Sequence, residues 1–350
     1  MSKPILILMH GVGVHTSASF KKSLVKAANK ALHRYPSYEN LEFEEQFEGI
    51  HSISYDHKFE EMRKIISDNG STVEAYIKQH LGGLELPNLA TQLIGIDSSL
   101  GEDKFINTHG LDVLLYLSLF GESVRGYVNT KLLTIIKQYP IGTPIHFISH
   151  SLGTAVLHDS LNKLFTFDEP NDTQLSAHNY RLNSYWSFAN VSDLVTSVSG
   201  LTSPYESKVK PGIEGIISEF YNIYHELDPI CFDIFKRFDP ADDGTWLPSD
   251  IFNSSYLKIV NTKVSRKDTH SIEGYIEDPN VSYLLLYNLI SNFDPSSEER
   301  DIANSKFVHL EALVDEIRDY QITNNYSSDL KGLVEAIEKL EEFIEGDNNE

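Results

Sequence analysis

Ser151 stands in the stretch Ile145–Ala155, IHFISHSLGTA, where the β-prone residues Ile145, Phe147 and Ile148 run straight into Ser149-His150-Ser151-Leu152-Gly153. A helix-like segment follows at once. A serine on a sharp strand-to-helix turn keeps its hydroxyl exposed above the end of a sheet, where a nucleophile is needed. Small residues two positions to either side let the strand and the helix approach. The first of these is Ser149 rather than glycine, so the pattern reads S-x-S-x-G. A helix N-cap is the competing role for such a serine.

A neutral serine hydroxyl attacks poorly unless a base takes its proton and donors stabilise the oxyanion that forms. The apolar run Ile5–Met9 ends in HGVGVH, His10 to His15. A glycine directly after a strand lets backbone N–H groups turn toward a pocket. The expected donors are the N–H of Val12, assisted by Gly11, and the N–H of Leu152. The same segment matches neither G-x-G-x-x-G nor G-x-x-x-x-G-K-[ST], so it does not read as a phosphate cradle.

A carboxylate and an imidazole complete the set. After Phe220–Tyr224 the chain reads HELDPI, and Pro229 rigidifies the turn that carries Asp228. Asp193, in ANVSDL after the preceding strand candidate, is the rival acid. Asp228 is preferred because its strand lies nearer the end of the sheet, before the strand that delivers the histidine. That histidine is His270, in the loop NTKVSRKDTHSIEGYI after Tyr256–Val260. The chain order is then Ser151, Asp228, His270.

These residues need a scaffold of strands ending at one edge. Ile5–Met9, Ile50–Tyr55, Ile145–Ser149, Ser184–Ala189, Phe220–Tyr224 and Tyr256–Val260 read as strands. Phe20–Arg34, Lys58–His80, Asp112–Lys137, Leu152–Phe165 and Val281–Ile290 read as helices. Alternating strands and helices imply an α/β fold with a mostly parallel central sheet flanked by helices. Leu81–Lys104 mixes Gly, Pro and Leu without a clean period, so it reads as a loop-rich apolar insertion. With the helix Asp112–Lys137 it suits a lid over an acyl pocket, or simple cover for the sheet. Phe307–Tyr320 and Leu330–Ile344 carry apolar stripes at helical spacing and form an expected C-terminal helical hairpin. The division expected is a main domain over 1–295, with an insertion at about 57–138, and a hairpin over 300–346.

With HGVG after the first strand, SHSLG at the turn, LDP and a late loop histidine, the sequence resembles the α/β-hydrolase superfamily, most of all its intracellular serine esterases and lipases. The resemblance runs over roughly Lys3–Asn292. It implies Ser151, Asp228 and His270 as a catalytic triad, an acyl ester or lipid as substrate, and no cofactor or metal. Ser149 in place of glycine, the insertion and the C-terminal hairpin depart from the common core.

Composition narrows the partners. The formal net charge of −22 argues against nucleic acid, whose phosphates require clustered Lys and Arg. The strongest apolar run, Val113–Phe120, falls far short of the ~20 residues a membrane span needs. The opening MSKPILILMHG is too short in apolar residues for a signal-peptide core, so a cytoplasmic location is expected. A lone cysteine, Cys231, excludes an intrachain disulfide. His51, Asp56 and His57 do not have the spacing of a metal site, and DPADDGTW at Asp239–Trp246 has Ala241 where a calcium loop requires a ligand. Two further readings stay open. One is a thioesterase or amidase using the same triad. The other is a non-catalytic interaction protein on a hydrolase scaffold, with the acidic hairpin as its binding element.

Overall fold

The computed structural model describes residues 3–11, 17–68, 115–116, 120–191, 207–211, 215–225, 228, 257–263, 265–266 and 268–309. The Leu81–Lys104 stretch and almost all of the expected hairpin lie outside the described residues.

In chain order the elements are β1 (Ile5–Met9), α1 (Ser17–Leu32), β2 (Gly49–Ile53), α2 (Asp56–Asp68), α3 (Gly121–Ile136), β3 (Ile145–His150) and α4 (Leu152–Leu164). There follow the two-residue strands β4 (Phe165–Thr166) and β5 (Leu175–Ser176), then β6 (Leu182–Phe188), β7 (Ile217–Tyr224) and β8 (Leu257–Asn261). Helices α5 (Ile272–Glu277), α6 (Pro279–Leu289) and α7 (Ser297–Ser305) close the described chain.

Six strands form one sheet in the order β2-β1-β3-β6-β7-β8, every neighbouring pair parallel. Parallel strands need crossovers that cover both faces, so central strands are apolar on both sides. β1 shows the consequence: all five residues of ILILM are buried. Ile5, Ile7 and Met9 face one layer with α2, α3 and α4, through residues such as Phe59, Val128, Leu132 and Leu161. Leu6 and Leu8 face the other layer, with Phe20, Leu24 and Ala28 of α1, Tyr275 of α5 and Leu285 of α6. The molecule is thus a three-layer α/β sandwich.

The described part of the Asp112–Lys137 stretch covers the sheet: Val124, Val128, Leu132 and Ile136 of α3 are buried in the same core as Ile145 and Phe147 of β3. Arg125 ties α3 to α4 through Asp159 at 3.6 Å. Helix α7 has few apolar residues to announce it, but a capping box between Ser296 and Glu299 starts it. Glu299 also accepts from the Ser37 N–H at 3.0 Å, and Lys306 reaches the Arg34 carbonyl at 3.0 Å. The chain is therefore bound to the main body through Lys306.

The topology creates a particular place. β1 pairs with β2 on one side and β3 on the other, so the order of the chain reverses there. In open α/β sheets ligands bind outside the carboxyl ends of the strands at such a reversal. The register brings those ends level: Met9 pairs with Ser149, and His150 with Phe188. Among the described helices, none is long and apolar enough to cross a membrane.

Candidate active site

Ser151 lies directly past the end of β3 with φ 54° and ψ −135°. A non-glycine residue held at positive φ costs on the order of 1–3 kcal/mol and persists only where its surroundings fix it. The surroundings here do so. Its N–H donates to the Phe188 carbonyl at 3.0 Å, and its carbonyl accepts from the Thr154 N–H at 2.9 Å and the Thr154 hydroxyl at 2.7 Å. The turn is too sharp for α4 to begin gradually, so Leu152 is already its first residue. The Leu152 N–H is then among those an α-helix leaves without an intrahelical acceptor.

Ser149, which stands where the G-x-S-x-G pattern has glycine, is fully buried and satisfied. Its hydroxyl lies 3.1 Å from the Tyr185 hydroxyl and 3.3 Å from the Trp186 carbonyl. Tyr185 in turn donates to the Thr154 carbonyl at 3.1 Å, which ties the strand side of the turn to the helix side.

The loop after β1 crosses the turn at very close range. A β-carbon at Gly11 would lie 2.7 Å from Ser151 Cβ, and one at Gly153 would lie 2.4 Å from the His10 carbonyl oxygen. Both positions therefore require glycine. His10 is buried, with Nδ1 against the Gly11 carbonyl and Nε2 3.3 Å from Asp56 Oδ2. Val12, the other expected donor, lies outside the described residues.

Asp228 and His270 meet. His270 Nδ1 is 2.8 Å from Asp228 Oδ2, and the Asp228 side chain is fully buried. Because the carboxylate accepts, Nδ1 carries the proton, and in the neutral ring the lone pair is on Nε2. Burial pulls the His270 pKa down. The charge and hydrogen bond of Asp228, with the charge of Asp268, outweigh it and hold the value above that of an ordinary histidine. Asp193 lies outside the described residues.

The site also holds residues that sequence reasoning missed. Asp268 accepts the His270 backbone N–H at 3.1 Å. His150 Nε2 donates to the His270 carbonyl at 2.8 Å, and the two rings lie 4.6 Å apart. This links the serine turn to the histidine loop. The Tyr275 hydroxyl donates to Asp228 Oδ2 at 2.5 Å. Among the described hydrogen bonds there is none between the Ser151 hydroxyl and the His270 ring. Such bonds are often long without substrate and tighten on binding.

A second Ser-His-Asp grouping lies elsewhere. Ser207 Oγ is 2.9 Å from His158 Nε2, and His158 Nδ1 is 3.2 Å from Asp159. Ser207 and His158 are each 2% exposed, and Ser207 also accepts from the Val209 N–H at 3.1 Å. Asp159 takes the Tyr116 hydroxyl at 2.8 Å. This grouping is a buried polar network that ties α4 to neighbouring segments.

His51 Nε2 bonds the Tyr139 hydroxyl at 2.8 Å, and the His57 ring packs on Tyr127. Among the described residues no three His, Cys, Asp or Glu side chains come together as a metal site. The sequence matches no protein-family model and no curated protein.

Proposed function

We propose that the chain is a serine hydrolase of the α/β-hydrolase kind that cleaves a carboxylic acyl ester, a lipid ester among them. The observation that carries this reading is the strained Ser151, held at positive φ at the reversal point of a parallel sheet. Strain of this sort is kept where it serves a site.

In the proposed reaction Ser151 Oγ attacks the acyl carbonyl carbon and His270 Nε2 takes its proton. Asp228 keeps the imidazole in the tautomer with the Nε2 lone pair available and stabilises the imidazolium. The N–H groups of Leu152 and Val12 receive the oxyanion, with Gly11 allowing the close approach. Each such donor is worth about 10²–10³ in rate. The tetrahedral species collapses, the alkoxide leaves with the proton from His270, and an acyl-Ser151 ester remains. Water then attacks that ester by the same steps, releasing the acid and restoring Ser151. The proton lost by Ser151 leaves with the alcohol, and the proton that restores it comes from the attacking water, both by way of His270.

The test is labelling with a fluorophosphonate probe, followed by peptide mapping. The expected adduct is on Ser151, and Ser151→Ala should neither label nor turn over p-nitrophenyl esters while keeping its circular dichroism. Folded parent protein that resists the probe would favour a binding role on the same scaffold. Matched oxygen-ester, thioester and amide substrates then define the bond cleaved.

A further inference from the structure

Asp228 Oδ2 is shared. It takes the Nδ1–H of His270 at 2.8 Å and the O–H of Tyr275 at 2.5 Å. Tyr275 is 1% exposed and sits on α5, one turn beyond the histidine loop. Its ring packs against Phe188 at the end of β6, His225 at the end of β7 and His150 at the end of β3, with centroids 5.9, 6.5 and 6.3 Å away. The ring is therefore gripped by three strand ends while its hydroxyl points at one carboxylate oxygen. Asp228 itself sits in a turn closed by its N–H on the His225 carbonyl at 3.0 Å.

We propose that Tyr275 is a positioning residue for the Asp228–His270 pair, its hydroxyl fixing the carboxylate and setting how strongly Oδ2 holds the imidazole. The role rests on the hydrolase reading above, since it is defined by what it does for the base. The physics is direct. A second donor on one carboxylate oxygen draws off part of its negative charge, so Oδ2 binds His270 less strongly than an unshared oxygen would. The same donor removes the rotational freedom of a short side chain and so fixes the direction of the imidazole. Among the described residues, the titratable groups facing His270 are Asp228 after β7, Asp268 in its own loop and His150 from β3, with His225 and Tyr275 packed around the pair.

The experiment follows the His270 ring through a pH titration by NMR on full-length, isotope-labelled protein, with His270→Gln to assign the signal. Tyr275→Phe should raise the His270 pKa by about half a unit or more, because Oδ2 regains charge. It should also lower kcat ~10-fold with KM little changed, because the buried phenol touches no substrate. Replacing Tyr275 by 3-fluorotyrosine keeps the ring and makes the hydroxyl a stronger donor. It should move His270 downward, and it keeps the test open if Tyr275→Phe does not fold. A lowered Tm with His270 titrating as in the parent would overturn the proposal and leave Tyr275 a packing residue. The titration does not depend on turnover. If His270 shifts as expected in a protein that hydrolyses nothing and does not label at Ser151, the hold of Tyr275 on the pair stands and the hydrolase reading falls.

Discussion

Gly11 and Ser151 are packed so closely that position 11 has no room for a side chain: a β-carbon there would lie 2.7 Å from Ser151 Cβ and 3.2 Å from the His150 carbonyl oxygen. The two residues come from different strands and meet only because β1 and β3 are parallel neighbours ending level. In the proposed reaction, the start of the loop offered as oxyanion donor is thus set by contact with the residue offered as nucleophile.

Gly11→Ala should therefore damage chemistry more than folding. The methyl group pushes the loop off the serine turn, and a donor moved out of place is a donor lost, worth about 10²–10³ in kcat. Gly126 is the contrast. It lies in α3 with nothing within 4 Å of an added β-carbon. Gly126→Ala should raise stability by ~0.5–1 kcal/mol, by lowering the entropy of the unfolded chain, and leave turnover unchanged. Equal turnover in the two variants would show that the Gly11 loop plays no part in the reaction.

Asp228→Asn and Asp193→Asn should differ sharply. An amide at position 228 can accept at Nδ1–H only in one orientation and can favour the wrong tautomer. The corresponding change in a serine protease costs ~10⁴ in turnover. Asp228→Asn should show a loss of that order, with His270→Ala similar, while Asp193→Asn stays near the parent rate. Steady-state hydrolysis and burst labelling on all three decide it. Inactivity confined to Asp193→Asn would move the acid to the end of β6.

The pH profile should carry the mark of Asp268. In the proposed reaction His270 serves as base only when neutral, so activity should be lost as pH falls through its pKa, which Asp228 and Asp268 hold above that of an ordinary histidine. The acid limb should therefore have its midpoint above pH 6.5. Asp268 contributes to this by its charge. Asp268→Asn removes the charge and keeps an oxygen for the His270 backbone N–H. Its acid limb should move to lower pH, with the alkaline plateau little changed. A limb unmoved, or moved upward, would mean that Asp268 does not act on the ring.

Much of the fold was legible because parallel strands advertise themselves. ILILM has no polar residue to suggest anything but a doubly covered strand, and Asp228 and His270 each follow a strand whose apolar run is plain. The rest was hidden for physical reasons. His146 is polar by type yet buried in β3, its Nδ1 2.7 Å from Ser184 Oγ and its pKa lowered to about 4 by burial. The sequence could not show that Ser184, 38 residues on, makes it a core residue. Tyr275 reads as one more aromatic on a helix, and its contact with Asp228 is made by the fold alone. Helix α7 escaped because Ile302 and Ala303 are too few to form a stripe, while its capping box holds it in place.

The two Ser-His-Asp groupings allow a last test. Ser207, His158 and Asp159 have the right residue types, and Ser207 Oγ already lies 2.9 Å from an imidazole nitrogen. By contact distance alone this set looks more complete than the set around Ser151. Accessibility and strain argue the other way. Ser207 is 2% exposed, so an acyl group would have to displace the core to reach it. Its oxygen is also engaged by the Val209 N–H. Ser151 instead stands half-buried just past the carboxyl end of β3, beside the reversal of strand order where open α/β sheets bind ligands. Ser207→Ala should therefore leave probe labelling and kcat at parental values and cost about 1 kcal/mol of stability, through loss of a buried hydrogen bond. Ser151→Ala should do the reverse, abolishing labelling with Tm held, since alanine keeps the β-carbon and the backbone hydrogen bonds that fix the turn. Denaturant melts and labelling on the same two preparations suffice. If Ser207→Ala abolishes labelling while the protein stays folded, the nucleophile is Ser207 and the reading of Ser151 falls.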